Sequence, residues 1–349
     1  MDRTVKLGSI FPLTLALALV AGCGGEPSEA SGSEGAGAGA TSGAGASSSG
    51  TGASTGEGGS GGFVNPAGES VTLTLEPFDV QSGTERQVCK TVNLPIDAPI
   101  DVVRLKSTMQ GTSHHFNVYK ALGSDPAAPV SEGESTVHDC APAAEQLNGE
   151  AAYIFGAAVP ERTMETPAGV AFHLEPGHRI ILEQHVINAG GEVIQGGAEI
   201  ELLAAAPELT IEHHADIIWF ATWGFYLPPN EETSATDHCT VPYDVEVFGL
   251  SSHTHKLGSH FSIEKWTSGG TEHLYDNTDW SHPLYMEFDP TLSLATGEGL
   301  EWTCTWTNTT GGLVTPGKNS TDEMCMTFAA AYPKATLSAD PIQCNNGGF

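Results

Sequence analysis

Two histidine clusters and one methionine are the residues of this chain best suited to chemistry. Their positions are His114-His115 with His185, and His253-Thr254-His255 with Met324. Imidazole binds both Cu(II) and Cu(I), and the thioether of methionine favours Cu(I). Zinc prefers four tight nitrogen, sulfur or oxygen ligands and gains little from a neutral thioether. The ligand types therefore predict copper rather than zinc.

The spacing of the histidines constrains the elements that carry them. His253 and His255 lie two residues apart, so on a β-strand both rings project from one face and can meet one ion. His114 and His115 are neighbours, and neighbours on a regular strand point to opposite faces. Both can bind one ion only if the strand bends, bulges or ends there, and bulges are common beside active sites.

Short β segments separated by Gly, Pro and Asn make up the chain after Phe63, and no segment shows a sustained helical period with caps at both ends. This pattern predicts an all-β fold built from antiparallel sandwiches. The predicted strands alternate or run apolar over strand lengths. They are residues 71–75, 102–105, 116–119, 179–187, 245–248, 261–264 and 300–304.

The part of the chain after Phe63 is long enough for one large or two ordinary domains. The run from Ala204 to Pro207 separates two halves of similar length, and each half contains one histidine cluster. We therefore predict two antiparallel, jelly-roll-like β-sandwich domains, over residues 63–207 and 208–349, each binding one metal ion.

The first 23 residues are typical of a bacterial lipoprotein signal peptide. A basic start and an apolar stretch lead to Val20-Ala21-Gly22-Cys23, a lipobox whose cysteine would become the lipidated N-terminus. A transmembrane helix is the rival interpretation, but the stretch is short, contains Pro12 and stops at a small-residue cleavage site. Because Gly24 rather than Asp follows Cys23, we expect a lipid anchor in the outer membrane of a bacterial cell envelope.

Residues 24–62 consist almost wholly of Gly, Ser, Ala, Thr and Glu, which predicts a disordered tether. The chain has 13 Lys and Arg against 43 Asp and Glu, a formal net charge of −30. A surface this acidic repels phosphate backbones, so we expect no nucleic acid partner. Membrane contact is expected through the lipid anchor alone.

The chain has seven cysteines, and six remain when Cys23 is set aside. An even number in an exported protein predicts disulfides, although six cysteines allow fifteen pairings. None lies in a Cys-x-x-Cys pair, which argues against a structural zinc site or a thioredoxin-like redox site. The six are Cys89, Cys140, Cys239, Cys304, Cys325 and Cys344.

The contexts of these residues resemble the copper type II, ascorbate-dependent monooxygenases, a family that includes peptidylglycine α-hydroxylating and dopamine β-monooxygenases. The resemblance runs from about Val71 to Cys344. The motifs that carry it agree with the family in order and spacing. They are Thr112-Ser113-His114-His115, Leu182-Glu183-Gln184-His185, His253-Thr254-His255-Lys256-Leu257-Gly258 and Asp322-Glu323-Met324-Cys325.

The resemblance implies the role of each ligand. His114, His115 and His185 would bind an electron-donating copper, and His253, His255 and Met324 an oxygen-activating copper, which makes the second set the catalytic one. The two domains would face each other across a solvent-filled cleft, and the two coppers would not touch. The implied disulfides are Cys89 with Cys140, Cys239 with Cys344, and Cys304 with Cys325.

The implied activity is hydroxylation of an activated C–H bond in a small or peptidic substrate, with O₂ and with ascorbate or a similar reductant. Peptidylglycine enzymes use an Arg, an Asn and a Tyr at positions that read Ser251, Met326 and Phe328 here. A bidentate carboxylate clamp is therefore missing, which favours a substrate that is not anionic. Glu183 resembles the dopamine β-monooxygenase pattern, with a solvated strand residue as the alternative.

A non-catalytic, copper-binding or copper-buffering envelope lipoprotein on the same fold is the alternative function. The presence of two unlike ligand sets favours the enzyme. A copper-buffering protein would need neither two different sites nor a weak methionine ligand. A His-His pair is by itself a weak signal, because His213-His214 is a second one. Seven other histidines are interpreted as surface or hydrogen-bonded structural residues. They are His138, His173, His178, His238, His260, His273 and His282. The tryptophans are interpreted as core residues.

Overall fold

The computed structural model describes residues 67–110, 113–122, 125–141, 151–317, 319–333 and 343–346, with the backbone alone for residues 67, 113 and 343–346. The predicted signal peptide, Cys23 and the tether 24–62 lie outside these residues. Every regular element in the described residues is a β-strand, which confirms the all-β prediction. Within the same residues, no helix is long and apolar enough to cross a membrane.

A six-stranded sheet and a five-stranded sheet form the first half of the structure. The larger sheet contains β1 (Ala67–Val80), β3 (Ile100–Met109), β7 (Glu161–Glu165), β8 (Val170–Leu174), β10 (Ile194–Ala205) and β11 (His213–His214). Its order is β1-β10-β3-β8-β11, with β7 also paired to β3. The smaller sheet contains β2 (Glu85–Asn93), β4 (Ser113–Ala121), β5 (His138–Asp139), β6 (Ala151–Ala157) and β9 (Arg179–Ile187), in the order β5-β2-β9-β4-β6.

A five-stranded sheet and a four-stranded sheet form the second half. The first contains β12 (Asp216–Thr222), β14 (Val245–His253), β17 (Tyr285–Leu294), β19 (Met326–Tyr332) and β20 (Gln343–Asn346), in the order β17-β14-β19-β12-β20. The second contains β13 (Glu232–Thr240), β15 (Gly258–Thr267), β16 (Gly270–Asn277) and β18 (Gly299–Thr307), in the order β13-β18-β15-β16. Neighbouring strands are antiparallel except β8 with β11 and β12 with β20.

The residues of β18 alternate between buried and partly exposed positions, and the buried ones belong to the core of the second half. Leu300, Trp302, Cys304 and Trp306 are fully buried, whereas the residues between them are partly exposed. Because successive side chains of a strand point to opposite faces, one face of β18 supplies the core. The predicted core role is therefore confirmed for these two tryptophans, and the ring of Trp306 stacks on that of Phe225 at 4.3 Å between centroids.

Apolar packing is continuous between the two halves. The first core contains Phe172 of β8 together with Ile217, Phe248 and Ala330, which belong to strands of the second half. The rings of Phe172 and Phe248 are 6.4 Å apart between centroids. The two halves are thus packed against each other. The predicted division into domains over residues 63–207 and 208–349 stays a prediction.

Each strand predicted from the sequence lies within an observed strand. The segments 71–75, 102–105 and 116–119 fall in β1, β3 and β4, and 179–187 coincides with β9. The segments 245–248, 261–264 and 300–304 fall in β14, β15 and β18. Strands such as β13, whose exposed face is rich in Thr, Ser and Glu, carry no apolar run and were not predicted.

Candidate metal centre

The first histidine cluster lies on the five-stranded sheet of the first half. His114 and His115 belong to β4, and His185 belongs to the neighbouring β9. The ring centroids are 5.1 Å apart for His114 and His115, 5.5 Å for His114 and His185, and 5.3 Å for His115 and His185. One ligand atom from each ring lies within 4.8 Å of the other two. The structure therefore brings together the three histidines of the first predicted set.

A β-bulge allows two neighbouring histidines to share this site. Ser113 pairs with Val186 and His115 pairs with His185, so β4 has one residue more than β9 over this step. The register shift re-aims a side chain that a regular strand would point to the opposite face. The irregularity predicted from the His-His pair is thus present.

Two carboxylates lie beside the rings of the first cluster, and one of them, Glu85, is within hydrogen-bond distance of His185. Glu85 places Oε2 at 3.2 Å from Nε2 of His185, and Glu183 places Oε1 at 3.8 Å from Nε2 of His115. Glu183 is buried and also accepts a hydrogen bond from Nδ2 of Asn117 at 3.2 Å. It is therefore not a solvated strand residue. A carboxylate beside a metal-binding imidazole fixes the ring and raises its basicity.

Burial favours the neutral form of His114 and His185, which is the form that a metal requires. Desolvation lowers the pKa of His114 to about 3, and the neighbouring rings of His115 and His185 lower it as well. Desolvation and His115 lower the pKa of His185 to about 4, although Glu85 acts in the opposite direction. A neutral imidazole presents a lone pair to a cation without first losing a proton. The donor set therefore fits a copper ion.

The second cluster begins where β14 ends. His253 is the last residue of that strand, and its ring centroid is 5.2 Å from that of His255. Nδ1 of His255 lies 2.9 Å from the backbone carbonyl oxygen of Asp322. Because Nδ1 must carry the proton to donate there, Nε2 of His255 is left as the ligand atom. Burial and the neighbouring imidazoles lower the pKa of His253, and burial lowers that of His255.

Glu323 is a buried carboxylate that holds the loop around His255. Its Oε2 accepts hydrogen bonds from the backbone N–H of His255 at 2.9 Å and from Nε1 of Trp306 at 3.0 Å. Its Oε1 accepts one from the backbone N–H of Leu257 at 2.8 Å. Burial raises the pKa of Glu323 to about 7, and these hydrogen bonds oppose the rise. The sequence analysis quoted Glu323 only as part of a motif and gave it no role.

Met324 stands directly after Glu323 and directly before the disulfide-bonded Cys325. In the antiparallel ladder, His253 pairs with Met326. The ladder ends with this pair, and beyond it His255 contacts Glu323 and the backbone of Asp322. The segment that carries Met324 therefore lies against the loop that carries His255.

The two clusters lie next to each other. The ring centroids of His115 and His253 are 6.5 Å apart, and the ring of His114 contacts Trp280 of the second half at 5.2 Å. Ser320, four residues before Met324, donates a hydrogen bond of 2.9 Å to Glu85, which also contacts His185. An open, solvent-filled cleft between the clusters was expected, whereas the structure shows ring contacts and a hydrogen bond between the halves.

Two of the three predicted disulfides are present. Cys89 is bonded to Cys140, and Cys304 is bonded to Cys325. Cys239 is also disulfide-bonded, but the side chain of its predicted partner Cys344 lies outside the described residues. The bond between Cys304 and Cys325 joins the two sheets of the second half immediately after Met324.

The positions associated with substrate lie on β14 and β19. Ser251 pairs with Phe328, and its hydroxyl donates to the carbonyl oxygen of Leu284 at 3.1 Å. A guanidinium group approaches this region from the first half. Arg162 stacks over the ring of Tyr285, which pairs with Ser251, at 3.8 Å, and donates to the carbonyl oxygen of Gly156.

A third group of metal-binding side chains was missed by the sequence analysis. Asp101, His173 and His214 each place one ligand atom within 4.8 Å of the other two. His173 and His214 lie 72 and 113 positions after Asp101 in the sequence, so no spacing motif could have grouped the three residues. From the sequence, His173 was interpreted as a surface or structural histidine, and His213-His214 only as a second His-His pair.

Comparison with solved structures finds likenesses with low scores. The STIV MCP is 11% identical, the match covers 76% of this chain and 97% of that chain, and the TM-score is 0.35. N-glycanase F (PNGase F) is 9% identical, with 77% and 97% covered and a TM-score of 0.32. Scores this low carry no argument about function.

Comparison with curated proteins finds no match. A protein-family model does match the second half of the chain. It covers residues 214–346, a segment that includes His253, His255 and Met324. The model that these residues match is that of the copper type II ascorbate-dependent monooxygenase, C-terminal domain.

Proposed function

We propose that this chain is a copper-dependent monooxygenase that hydroxylates an activated C–H bond of a small or peptidic substrate. O₂ would be the oxidant, and ascorbate or a similar one-electron reductant would supply electrons. The observation that carries the proposal is that the segment matching the family model contains His253, His255 and Met324. In this proposal these residues hold one copper ion, and His114, His115 and His185 hold a second.

Copper bound by such ligands supplies one-electron redox chemistry and activation of O₂, and the methionine favours the reduced ion. The chain itself supplies neutral, oriented imidazoles. The carbonyl oxygen of Asp322 selects the tautomer of His255, and Glu323 holds the backbone of the same residue. The rings of His115 and His253, one from each ligand set, are 6.5 Å apart between centroids.

The test is substrate-dependent incorporation of oxygen from ¹⁸O₂. The full chain, loaded with copper and supplied with ascorbate, is incubated with a pool of amines and glycine-extended peptides. We expect products that carry one labelled oxygen atom and O₂ uptake that depends on substrate. Met324→Ala should abolish turnover and retain copper at the first histidine cluster, because the two sets lie on different sheets.

The matched control is Met286→Ala, which removes a methionine that packs against the core of the same half. It should retain turnover. Copper bound at both sites without substrate-dependent O₂ uptake would favour the alternative, a non-catalytic copper-binding or copper-buffering protein. A single metal site, or zinc bound in preference to copper in cells, would contradict the proposal.

We propose further that the substrate is neutral or cationic. Ser251 stands where peptidylglycine enzymes carry a carboxylate-binding Arg. The guanidinium of Arg162 stacks on Tyr285 and donates from Nη1 to the carbonyl oxygen of Gly156, while its buried Nε has no hydrogen-bond partner among the described residues. A buried carboxylate without a paired cation costs several kcal/mol, of order 3 to 5. O₂ uptake on a glycine-extended acyl peptide, on an alkylamine or arylamine and on a neutral analogue should be lowest for the acid.

Ser251→Arg should raise turnover of the acid. If the acid is instead the best substrate of the wild-type chain, the proposal about charge is wrong. In that case Arg162→Gln shows whether Arg162 holds the carboxylate.

We also propose attachment to the envelope of a bacterial cell, in the outer membrane, through lipidated Cys23. The lipobox Val20-Ala21-Gly22-Cys23 supports this proposal. Expressed with its signal, the chain should fractionate with membranes, whereas Cys23→Ala should not become lipidated. Equal membrane association of both forms, with no lipid on Cys23, would refute it.

A further inference from the structure

A cluster of metal-binding side chains lies apart from both predicted copper sites. It consists of Asp101, His173 and His214, all on the six-stranded sheet of the first half. Asp101 of β3 pairs with His173 of β8, and His214 belongs to β11, on the other side of β8. The cluster therefore connects two strands of the first sandwich with β11, the short strand that leads into the second half.

One carboxylate oxygen lies at the centre of the group. Oδ1 of Asp101 is 2.8 Å from Nδ1 of His173 and 3.0 Å from Nε2 of His214. The centroids of the two imidazoles are only 4.6 Å apart. A tetrahedral ion with bonds of about 2.0 to 2.1 Å separates its ligand atoms by about 3.3 to 3.4 Å. The two oxygen-to-nitrogen distances would lengthen by about 0.3 to 0.6 Å to meet this requirement. The ligand nitrogens of the two histidines lie within 4.8 Å of each other.

The ring nitrogen of His173 that points away from the cluster contacts a carboxylate, as the second ring nitrogen does in many metal sites. Nε2 of His173 lies 3.0 Å from Oε1 of Glu175, while Nδ1 faces Asp101. Metal-binding histidines almost always donate their second ring N–H to a carboxylate, a carbonyl or water, which fixes the tautomer. Without an ion, both ring nitrogens of His173 donate to carboxylates, Nδ1 to Asp101 and Nε2 to Glu175. A bound ion would replace the proton on Nδ1, while Glu175 keeps the proton on Nε2.

The three side chains of the cluster are partly exposed, so an ion can reach them from solvent and keep a water ligand. The side chains of His173 and Asp101 are 30% and 32% exposed, and that of His214 is 40% exposed. The strand pairing holds the three backbones in place, since β8 lies between β3 and β11 in the sheet. Two imidazoles and one carboxylate are ligands of zinc and related divalent ions.

We propose that Asp101, His173 and His214 form a third metal site, which binds a divalent transition-metal ion of the zinc type. The bound ion links β11, at the entry to the second half, to β3 and β8 of the first half. Its role is to fix the connection between the halves. This proposal does not depend on copper at the other two clusters.

The test measures Zn²⁺ bound per full-length chain after excess metal is removed by gel filtration. His214→Gln and Asp101→Asn should each hold one zinc ion fewer than the wild-type chain, and bind Zn²⁺ at this site more than about tenfold more weakly. Both variants lie outside the predicted copper sites, so copper content and O₂ uptake should not change. If the proposed oxidation fails but the difference in zinc content is found, this inference stands.

His213→Gln is the matched control, since His213 is the neighbouring histidine and stacks on Tyr332 at 5.5 Å between centroids. It should bind as much zinc as the wild-type chain. Circular dichroism without zinc checks that each variant folds, and Asp101→Asn retains the size of the side chain if His214→Gln does not fold. Equal zinc content in the wild-type chain and in both site variants would overturn the proposal. An equal loss in the His213→Gln control would do so too.

Discussion

Among single residues, Glu323 shows how one buried carboxylate organises a metal centre. Three donors converge on its two oxygens, from the backbone of His255, the backbone of Leu257 and the indole of Trp306. Met324 follows directly in the chain, so the group that orients the histidine loop and the thioether residue are covalent neighbours. Glu323 therefore positions ligands and is not expected to bind the metal itself.

Glu323→Gln should loosen this arrangement, because an amide offers one carbonyl oxygen and turns an NH₂ group towards at least one donor. A buried donor left unpaired costs about 1 to 3 kcal/mol. We expect the free energy of unfolding to fall by about that amount, and copper affinity at His253, His255 and Met324 to fall about tenfold or more. Copper titration and urea unfolding measure the two effects.

Glu301→Gln is the control, because Glu301 lies on the partly exposed face of β18 in the same half. It should change neither quantity. A Glu323→Gln variant that loses copper equally from both clusters would show that the effect is general unfolding rather than positioning.

Among the elements, the ends and irregularities of strands create the sites. A bulge in β4 brings His114 and His115 to the same side of the strand. Because β14 ends at His253, His255 lies in the loop that follows. The disulfide between Cys304 and Cys325 ties the start of β19 to β18. Four of the candidate ligands, His114, His115, His255 and Met324, lie at a bulge or just beyond the end of a strand, whereas His185 lies within β9.

Cys304→Ser with Cys325→Ser should weaken the second metal centre before it removes β structure. Loss of a native disulfide costs about 2 to 5 kcal/mol, and this bond fixes the segment that carries Met324. We expect copper affinity of the second cluster to fall while the far-UV circular dichroism spectrum is retained. Cys89→Ser with Cys140→Ser, in the other half, is the control. It should lower stability without a selective loss at His253, His255 and Met324.

At the scale of the whole molecule, the two halves pack together and bury several imidazoles at one place. Contacts such as those between His115 and His253 and between His114 and Trp280 cross from one half to the other. Burial lowers the pKa values of His114, His185, His253 and His255, in part because the rings crowd one another. The packing that forms the metal centre therefore also makes its protonation unfavourable.

Acid should destabilise the metal-free protein for this reason. Below pH 6.5 the unfolded chain takes up protons at these four histidines. In the folded chain the pKa is about 3 for His114 and about 4 for His185, and those of His253 and His255 are lowered as well. Stability is therefore fully present above pH 6.5 and is lost as the pH falls, with a slope of about 1.4 kcal/mol per pH unit for each histidine that is protonated only in the unfolded chain. Urea unfolding at pH 7.5, 6.5, 5.5 and 4.5 measures it.

His114→Gln with His253→Gln should flatten the pH dependence, since two of the groups are removed. His213→Gln serves as the control and should leave it unchanged. An identical slope in the wild-type chain and in the double variant would contradict this account, and would assign the acid sensitivity to carboxylates elsewhere.

The sequence by itself determined the all-β class, because alternation with a period of two is a local property of each strand. Local spacing also paired His114 with His115 and His253 with His255, and the His-His pair alone required a strand that bends, bulges or ends there. The roles of His185 and Met324 in the two sets came from the family resemblance. The disulfides between Cys89 and Cys140 and between Cys304 and Cys325 agreed with the family resemblance. Counting cysteines alone had left fifteen pairings open.

Only the tertiary structure decided how distant segments meet. The 6.5 Å contact between His115 and His253 depends on how two sandwiches pack, which no local pattern encodes. The burial of Glu183 and the three donors on Glu323 depend on neighbouring strands in the same way. Asp101, His173 and His214 come together through the strand order of one sheet, and that order is set by long-range pairing and core packing rather than by residue spacing.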